Sequence, residues 1–380
     1  MDLRLTTEQQ EMKDMFTDFA QKFVKPIAAD VDEQERFPEE NIPKMAELGL
    51  FGIPFPEEWG GVGAGALEYA MATEEMSRVC ATTGTIVGAH TSLCLWPIYT
   101  YGTEEQKKKY VKDLASGKKL GAFGLTEPAA GTDSALQKSF AEDKGDHFLL
   151  NGTKIFITNA KYADIYVVFA MTEKNVGSKG ITAFILEKGM EGFTFGSKEK
   201  KMGIRGSSTW ELIFNNVKVP KENLLGGLGK GFKVAMTTLD GGRISIAAQG
   251  VGIAQGAIDA TLTYVKQREQ FGKRISQFQN TQFEMAAMQT KVDAARLLYY
   301  RAACAKQNNE PYSHMAAMAK LFASETASDV TRRCVQLHGG YGFSREYPVE
   351  RMMRDAKITE IYEGTSEVQK MVIAGWMGVS

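Results

Sequence analysis

The chain has 380 residues, 43% hydrophobic and 24% charged, with 45 basic and 46 acidic side chains and a formal net charge of −1. That balance removes the electrostatic case for nucleic acid as a partner, and no apolar run reaches the length needed for membrane insertion. Four cysteines without a C-x-x-C pair and four scattered histidines suggest buried thiols and no metal site. The N-terminus, MDLRLTTEQQEMKDMF, has neither signal-peptide nor transit-peptide character, so a cytoplasmic protein is expected.

From residue 7 to about 115 the apolar residues recur at helical spacing. Thr7 with Gln10 reads as a capping box, followed by Met12, Met15, Phe16, Phe19 and Phe23. Further helices are expected in PEENIPKMAELGL, ending near Gly49 or Gly52, in LEYAMATEEMSRV, and in TEEQKKKYVKDLASG. The last has Thr103 as N-cap and Gly117 just past its end. From about 120 to 225 the period becomes two. KLGAFGLTE, HFLLNGTKIFITN, IYVVFAMT, ITAFILEK, FTFGS and ELIFNNVKV are β-branched and aromatic runs separated by Gly, Asn and Lys. From about 230 long helical patterns return, followed by two short ones around Glu363. The expected fold is α+β in three domains. These are an N-terminal helical domain (1–119), a middle β-barrel or sandwich (120–230) and a C-terminal antiparallel helical bundle (231–380).

Gly61-x-Gly63-x-x-Ala66 matches a dinucleotide fingerprint as text. The preceding IPFPEEW carries two prolines and two acids where a buried strand should be, so a turn before a helix is expected there. No G-x-x-x-x-G-K-[ST] and no G-x-S-x-G motif occurs.

Four segments carry more information. AFGLTEPAAGTDSA (122–135) leaves a strand for a Gly/Pro loop. There Gly131, Thr132 and Asp133 suit an oxygen-rich ligand, although taken alone the motif reads more readily as a β-turn with Asx and Ser/Thr caps. GTKIFITNA (152–160) sets Phe156, Ile157 and Thr158 at a strand end, suiting a flat heteroaromatic ligand or a core strand. VKQREQFGKRISQFQ (265–279) combines Arg268, Gln270, Phe271 and Gln279, a phosphate- and base-binding set or a solvated helix end. Gly339 and Gly340 follow a helix and permit close backbone approach.

In combination and order, FGLTEPAAGTD, FITN, REQFGK, QLHGGYGFSREYPVERMMRD and IYEGTSEVQ resemble the flavin-dependent acyl-CoA dehydrogenases over essentially the whole chain, most of all the short-chain, butyryl-CoA type. Leu136 departs from the family pattern, which has a small residue there. The resemblance implies FAD between the β domain and the C-terminal bundle. Phe123, Leu125, Thr126, Gly131 and Thr132 would contact the flavin and its pyrophosphate arm, and Phe156, Ile157 and Thr158 would flank the ring. Arg268, Gln270, Phe271, Gln279, Gln336, Leu337, Gly339 and Gly340 would grip the ADP half across a subunit interface. Thr365 and Glu367 would complete the shell, although Glu367 also reads as a residue that compensates a helix dipole. The acyl-CoA would meet Thr132, Asp240, Arg243 and Gly364, with an i,i+3 salt bridge as the alternative for Asp240 and Arg243.

The implied reaction removes a proton next to a thioester carbonyl and a hydride from the next carbon. Glu363 lies where the helical pattern breaks beside Gly364, whereas Glu360 and Glu367 read as regular helix positions. Some relatives carry the base on the earlier helix, but LDGGR (239–243) offers no glutamate, which assigns the base to Glu363. The resemblance further implies an electron-transferring flavoprotein as partner, in some anaerobes within an electron-bifurcating complex, and a homotetramer. A branched-chain or glutaryl-type enzyme is the alternative within the family. A non-catalytic flavin or acyl-CoA binding protein is the alternative outside it.

Overall fold

The first helix starts one residue earlier than its sequence pattern suggested. In the computed structural model, which describes residues 4–379, the N-cap is Thr6 rather than Thr7. Its hydroxyl accepts from the Gln9 N–H (3.2 Å), and the Gln9 side chain accepts from the Thr6 N–H (3.0 Å). The expected reciprocal box is present, shifted by one. Helices α1 (Thr7–Phe19), α2 (Ala28–Glu33), α3 (Ile42–Glu47), α4 (Ala66–Val79), α5 (Ala81–Gly88), α6 (Trp96–Tyr101) and α7 (Glu104–Ala115) follow one another. Thr103 caps α7 with Gln106, and Gly117 takes a left-handed φ of +72° just beyond it. A buried π-helical stretch, Ala89–Leu95, joins α5 to α6. The Gly61–Gly63 stretch follows a 3-10 turn, Glu57–Trp59, and precedes α4, with no strand before it.

The middle segment forms one eight-stranded sheet. Its strands are β1 (Gly121–Gly124), β2 (Phe140–Asp143), β3 (His147–Thr158), β4 (Ile165–Met171), β5 (Ile181–Glu187), β6 (Phe193–Lys198), β7 (Thr209–Pro220) and β8 (Leu224–Leu225). The order is β6-β7-β3-β2-β4-β5-β8, with β1 parallel to β4. All eight strands contribute to one apolar cluster, β8 through the half-buried Leu224, and non-neighbouring strands meet across it. Tyr166 on β4 packs edge-on to Phe193 on β6 at 4.8 Å, and Phe148 on β3 to Phe184 on β5 at 5.1 Å. The sheet therefore rolls around its own core. The opposite face of β4 and β5 (Val167, Phe169, Ala183, Ile185) packs on the helical segment, which is why these two strands are buried almost throughout.

Helix α8 (Gly231–Gln267) opens the C-terminal part. A two-residue hairpin then pairs β9 (Glu269–Gln270) with β10 (Lys273–Arg274), before α9 (Gln279–Gln307), α10 (Ser313–His338), α11 (Val349–Thr359) and α12 (Ser366–Met377). Small residues let the long helices approach closely. Ala247, Ala248, Ala254 and Ala257 of α8 share a core with Ala316, Ala319, Ala323 and Ala327 of α10. Among the described residues no helix is long and apolar enough to cross a membrane, and no His/Cys/Asp/Glu group is arranged to hold a metal. Cys80, Cys94 and Cys334 are buried as expected, but Cys304 is exposed.

Candidate active site

Helix α11 ends at Thr359, and Glu360 is its C-cap rather than an interior residue. Thr365 caps α12, accepting from the Val368 N–H at 3.4 Å. Between them the chain turns through left-handed backbone at Glu363 (φ +53°) and Gly364 (φ +97°). This region is cheap for glycine and strained for glutamate. Tyr362, beside the turn, donates its hydroxyl to Gln249 of α8. Gln249 in turn donates to the Thr85 hydroxyl (2.7 Å) and the Ala81 carbonyl (3.1 Å) of α5. The Gln369 side chain donates to the Gly364 carbonyl at 2.9 Å. The turn is thus tied to three helices.

Glu363 as a whole residue is half-buried, but its Oε2 oxygen is out of solvent and has no hydrogen-bond partner. Atom-level burial governs the proton: desolvation pushes the carboxyl up to about 7, against the opposing pull of Lys320 and Arg243. Both cations are occupied elsewhere. Arg243 pairs with Asp240 at 2.5 Å, and Asp240 also accepts from the Ser313 hydroxyl at 2.8 Å. Lys320 donates to the Gly364 carbonyl at 2.7 Å, and burial pulls its ammonium down to about 8. Gly242 of α8 makes room for the carboxylate: a Cβ there would stand 1.9 Å from Glu363 Oε2 and 3.1 Å from Leu93 Cδ2.

A second group of residues lies where β1 runs into its loop beside β3. Lys154 of β3 is fully buried. It donates to the Leu125 carbonyl (3.1 Å), Glu127 Oε1 (2.7 Å) and Gln137 Oε1 (3.0 Å). Glu127 also accepts from the N–H groups of Lys138 (2.6 Å) and Ser139 (3.1 Å). Both ends of the 125–139 loop are thereby fastened to β3, as is Thr126, whose carbonyl accepts from the Ile155 N–H at 2.9 Å. The β3–β7 register shifts between Lys154 and Ile157, and Phe156 takes φ +59° there. Its ring is 59% exposed while Ile157 is buried. Phe123 packs edge-on to Phe169 at 5.0 Å. Gly131, Thr132 and Leu136 sit on the exposed part of the loop, and Thr158 is half-buried at the strand end.

The third group is far from the first. Arg268 caps the C-terminal end of α8, 25 residues beyond Arg243, which places it about 37 Å away along the helix. Its guanidinium lies 5.4 Å over the Tyr341 ring. Phe271 forms the hairpin turn with Gly272 and is 94% exposed. Gln270, Gln279, Gln336, Gly339 and Gly340 are exposed and Leu337 is half-buried. Glu367 is exposed in the first turn of α12, and its carboxyl is lowered by the helix-end N–H and the Thr365 hydroxyl, as a dipole-compensating acid would be.

Sequence reasoning missed Lys320, Lys154 and Gln249. Two of these carried a signal. Lys320 interrupts the buried stripe Ala316, Ala319, Ala323 and Ala327, and Lys154 falls on a strand between Leu150 and Ile157; all of these are buried.

Fold and site together are those of a cofactor-dependent oxidoreductase. Family models for the N-terminal, middle and C-terminal domains of acyl-CoA dehydrogenases match residues 6–118, 122–217 and 229–378. A short-chain-specific acyl-CoA dehydrogenase of Clostridium acetobutylicum is 57% identical, with 99% of each chain covered. The butyryl-CoA dehydrogenase structure from Megasphaera elsdenii superimposes with a TM-score of 0.98 at 51% identity, over 99% of this chain and all of that one. A chain solved in work on the electron-transferring flavoprotein of Acidaminococcus fermentans and flavin-based bifurcation gives a TM-score of 0.98 at 56% identity, over 99% of each chain. The protein belongs to the acyl-CoA dehydrogenase family, whose members are FAD oxidoreductases. The residues present fit that cofactor. Phe156 offers an exposed ring at a strand bulge, Gly131, Gly339 and Gly340 have open space where a side chain would stand, and Glu363 holds an unpartnered oxygen.

Proposed function

We propose that the protein interconverts a short-chain acyl-CoA, butyryl-CoA, with its trans-2-enoyl-CoA, and that Glu363 takes the α-proton. The buried, unpartnered Oε2 of Glu363 carries this reading. A carboxylate in water is a weak base; one desolvated to about 7 is matched to proton abstraction near neutral pH. The left-handed turn sets the Glu363 N–H beside its own side chain, where it donates to the thioester oxygen as enolate charge develops. Asp240 and Arg243, on the same face of α8, meet the CoA arm, and Thr132 and Gly364 border it. Bound FAD supplies the acceptor for the β-hydride. The 125–139 loop, Phe156, Ile157 and Thr158 hold and orient its ring end, with Thr365 and Glu367 at the edge of that shell.

Arg268, Gln270, Phe271, Gln279, Gln336, Leu337, Gly339 and Gly340 serve the FAD of another copy, in a homotetramer. Their exposure and the length of α8 between them and Arg243 support this. Electron exchange with an electron-transferring flavoprotein, within a bifurcating complex, is supported by likeness to the chain from the Acidaminococcus fermentans work. A glutaryl-type substrate needs a free cation for its distal carboxylate; the two cations that act on Glu363 are already engaged.

Glu363→Gln is expected to retain FAD and to lose about 10²–10⁴-fold or more in turnover of butyryl-CoA. Turnover within tenfold of wild type in FAD-loaded variant would take the role away from Glu363. A rate series over acyl length tests the short-chain assignment, with the maximum expected at butyryl-CoA.

A further inference from the structure

We infer that Lys320 is a positioning residue for Glu363. It pins the Glu363–Gly364 turn through the Gly364 carbonyl and brings its ammonium charge to the carboxylate without bonding to it. The inference rests on reading Glu363 as the base.

Lys320 lies on α10 with no exposure to solvent. A buried ammonium is retained only where it is hydrogen-bonded or paired. Its bond goes to the Gly364 carbonyl at 2.7 Å, and it forms no ion pair with a carboxylate among the described residues. Gln369 donates to the same carbonyl at 2.9 Å. Two donors on one carbonyl hold the turn that follows the strained left-handed Glu363. A direct Lys320–Glu363 bond would occupy the carboxylate and weaken it as a base. Donation to the neighbouring carbonyl leaves Oε2 open and still supplies charge.

The groups facing Glu363 come from every element around it. They are Lys320 on α10, Arg243 on α8 with its partner Asp240, Tyr69 on α4, and Tyr362 in the turn. Lys320 in turn feels Glu363, Arg243, Glu360 and Glu367. Arg243 is neutralised locally by Asp240, so Lys320 is the cation whose charge reaches Glu363 least compensated.

The test compares wild type with Lys320→Met and Lys320→Arg on two readouts. One is the pH dependence of kcat/KM. The other is infrared titration of the Glu363 carboxyl in the resting protein, assigned by its disappearance in Glu363→Gln. Lys320→Met should raise both midpoints by about one pH unit or more, with much of the lost rate returning at high pH. Lys320→Arg should restore both midpoints towards wild type. Unchanged midpoints in folded Lys320→Met, or a rate loss uniform across pH, would reduce Lys320 to a packing role and overturn the inference. Should Lys320→Met not fold, Lys320→Gln keeps a donor and removes the charge; the same upward shift is expected, and its absence is equally decisive. The infrared midpoint belongs to the carboxyl itself, so it tests Lys320 even if Glu363→Gln turns over and the base reading fails.

Discussion

Gly242→Ala isolates the position of the Glu363 carboxylate from its chemistry. The new methyl group would stand 1.9 Å from Oε2, and since such contacts essentially never fall under 3.0 Å the carboxylate must retreat by at least about 1.1 Å (3.0 − 1.9). The colliding atom is the tip of a flexible side chain rather than backbone, so the fold yields there at small cost. Alanine is the better helix former in the interior of α8 by about 1 kcal/mol, and stability should hold or rise slightly. Catalysis should not hold. A misplacement of about 1 Å costs about 10²-fold, equivalent to about 2.7 kcal/mol of lost transition-state stabilisation. The assay is kcat/KM with butyryl-CoA on protein of verified FAD content, beside a thermal unfolding scan. The expected result is a rate about 10²-fold down with an unfolding temperature at or above wild type. A folded, FAD-loaded Gly242→Ala enzyme within threefold of wild-type rate would refute the reasoning, because the carboxylate would then not need the place in which it is found.

Lys154→Met breaks a buried ion pair and strands Glu127, at a cost of about 3–5 kcal/mol. It should lower the unfolding temperature and the FAD retained through gel filtration, and adding Glu127→Gln should recover part of both; full FAD retention by the single variant would contradict the loop-fastening role. Glu363 is held at about 7 when folded against an ordinary 4.5. The unfolded chain ionises first and binds fewer protons across that window, so this group lowers stability as pH rises through it. Glu363→Gln should therefore be more stable than wild type above pH 7, on the order of 2 kcal/mol after discounting for the half-burial of the residue, with the difference closing towards pH 4.5; a pH-independent difference would contradict the burial. Thr6→Ala should destabilise α1 by about 1 kcal/mol, while Thr7→Ala, which caps nothing, should leave it nearly unchanged; hydrogen exchange of the α1 amides separates the two.

The α–β–α order was legible because the apolar period changes from helical to alternating and back. Where neither period exists, the pattern was silent. ATTGTIVGAHTSLCLWPI lies in α5, the π-helical stretch and the start of α6, and it is buried on nearly every side. An element covered all round leaves no polar face to mark its phase. Strand β2 is four residues long, β8 is two, and the β9–β10 hairpin is a pair of two-residue strands, all too short for a period to register.

The site was legible to different depths for different physical reasons. Glu363 announced itself because a helix break beside a glycine is written in local sequence. Its setting did not, because Gly242, Gln249 and Lys320 reach it from helices more than 40 residues away in the chain, and only packing brings them together. The remoteness of Arg268, by contrast, follows from the sequence once a continuous helix is granted: 25 helical residues separate it from Arg243, and no side chain spans about 37 Å. An arginine and an exposed phenylalanine at that end of α8 therefore have no work to do at their own chain's Glu363. In the homotetramer proposed above, the same length that removes them from one site would carry them to the site of a neighbouring copy, and each cofactor pocket would then be built by two chains.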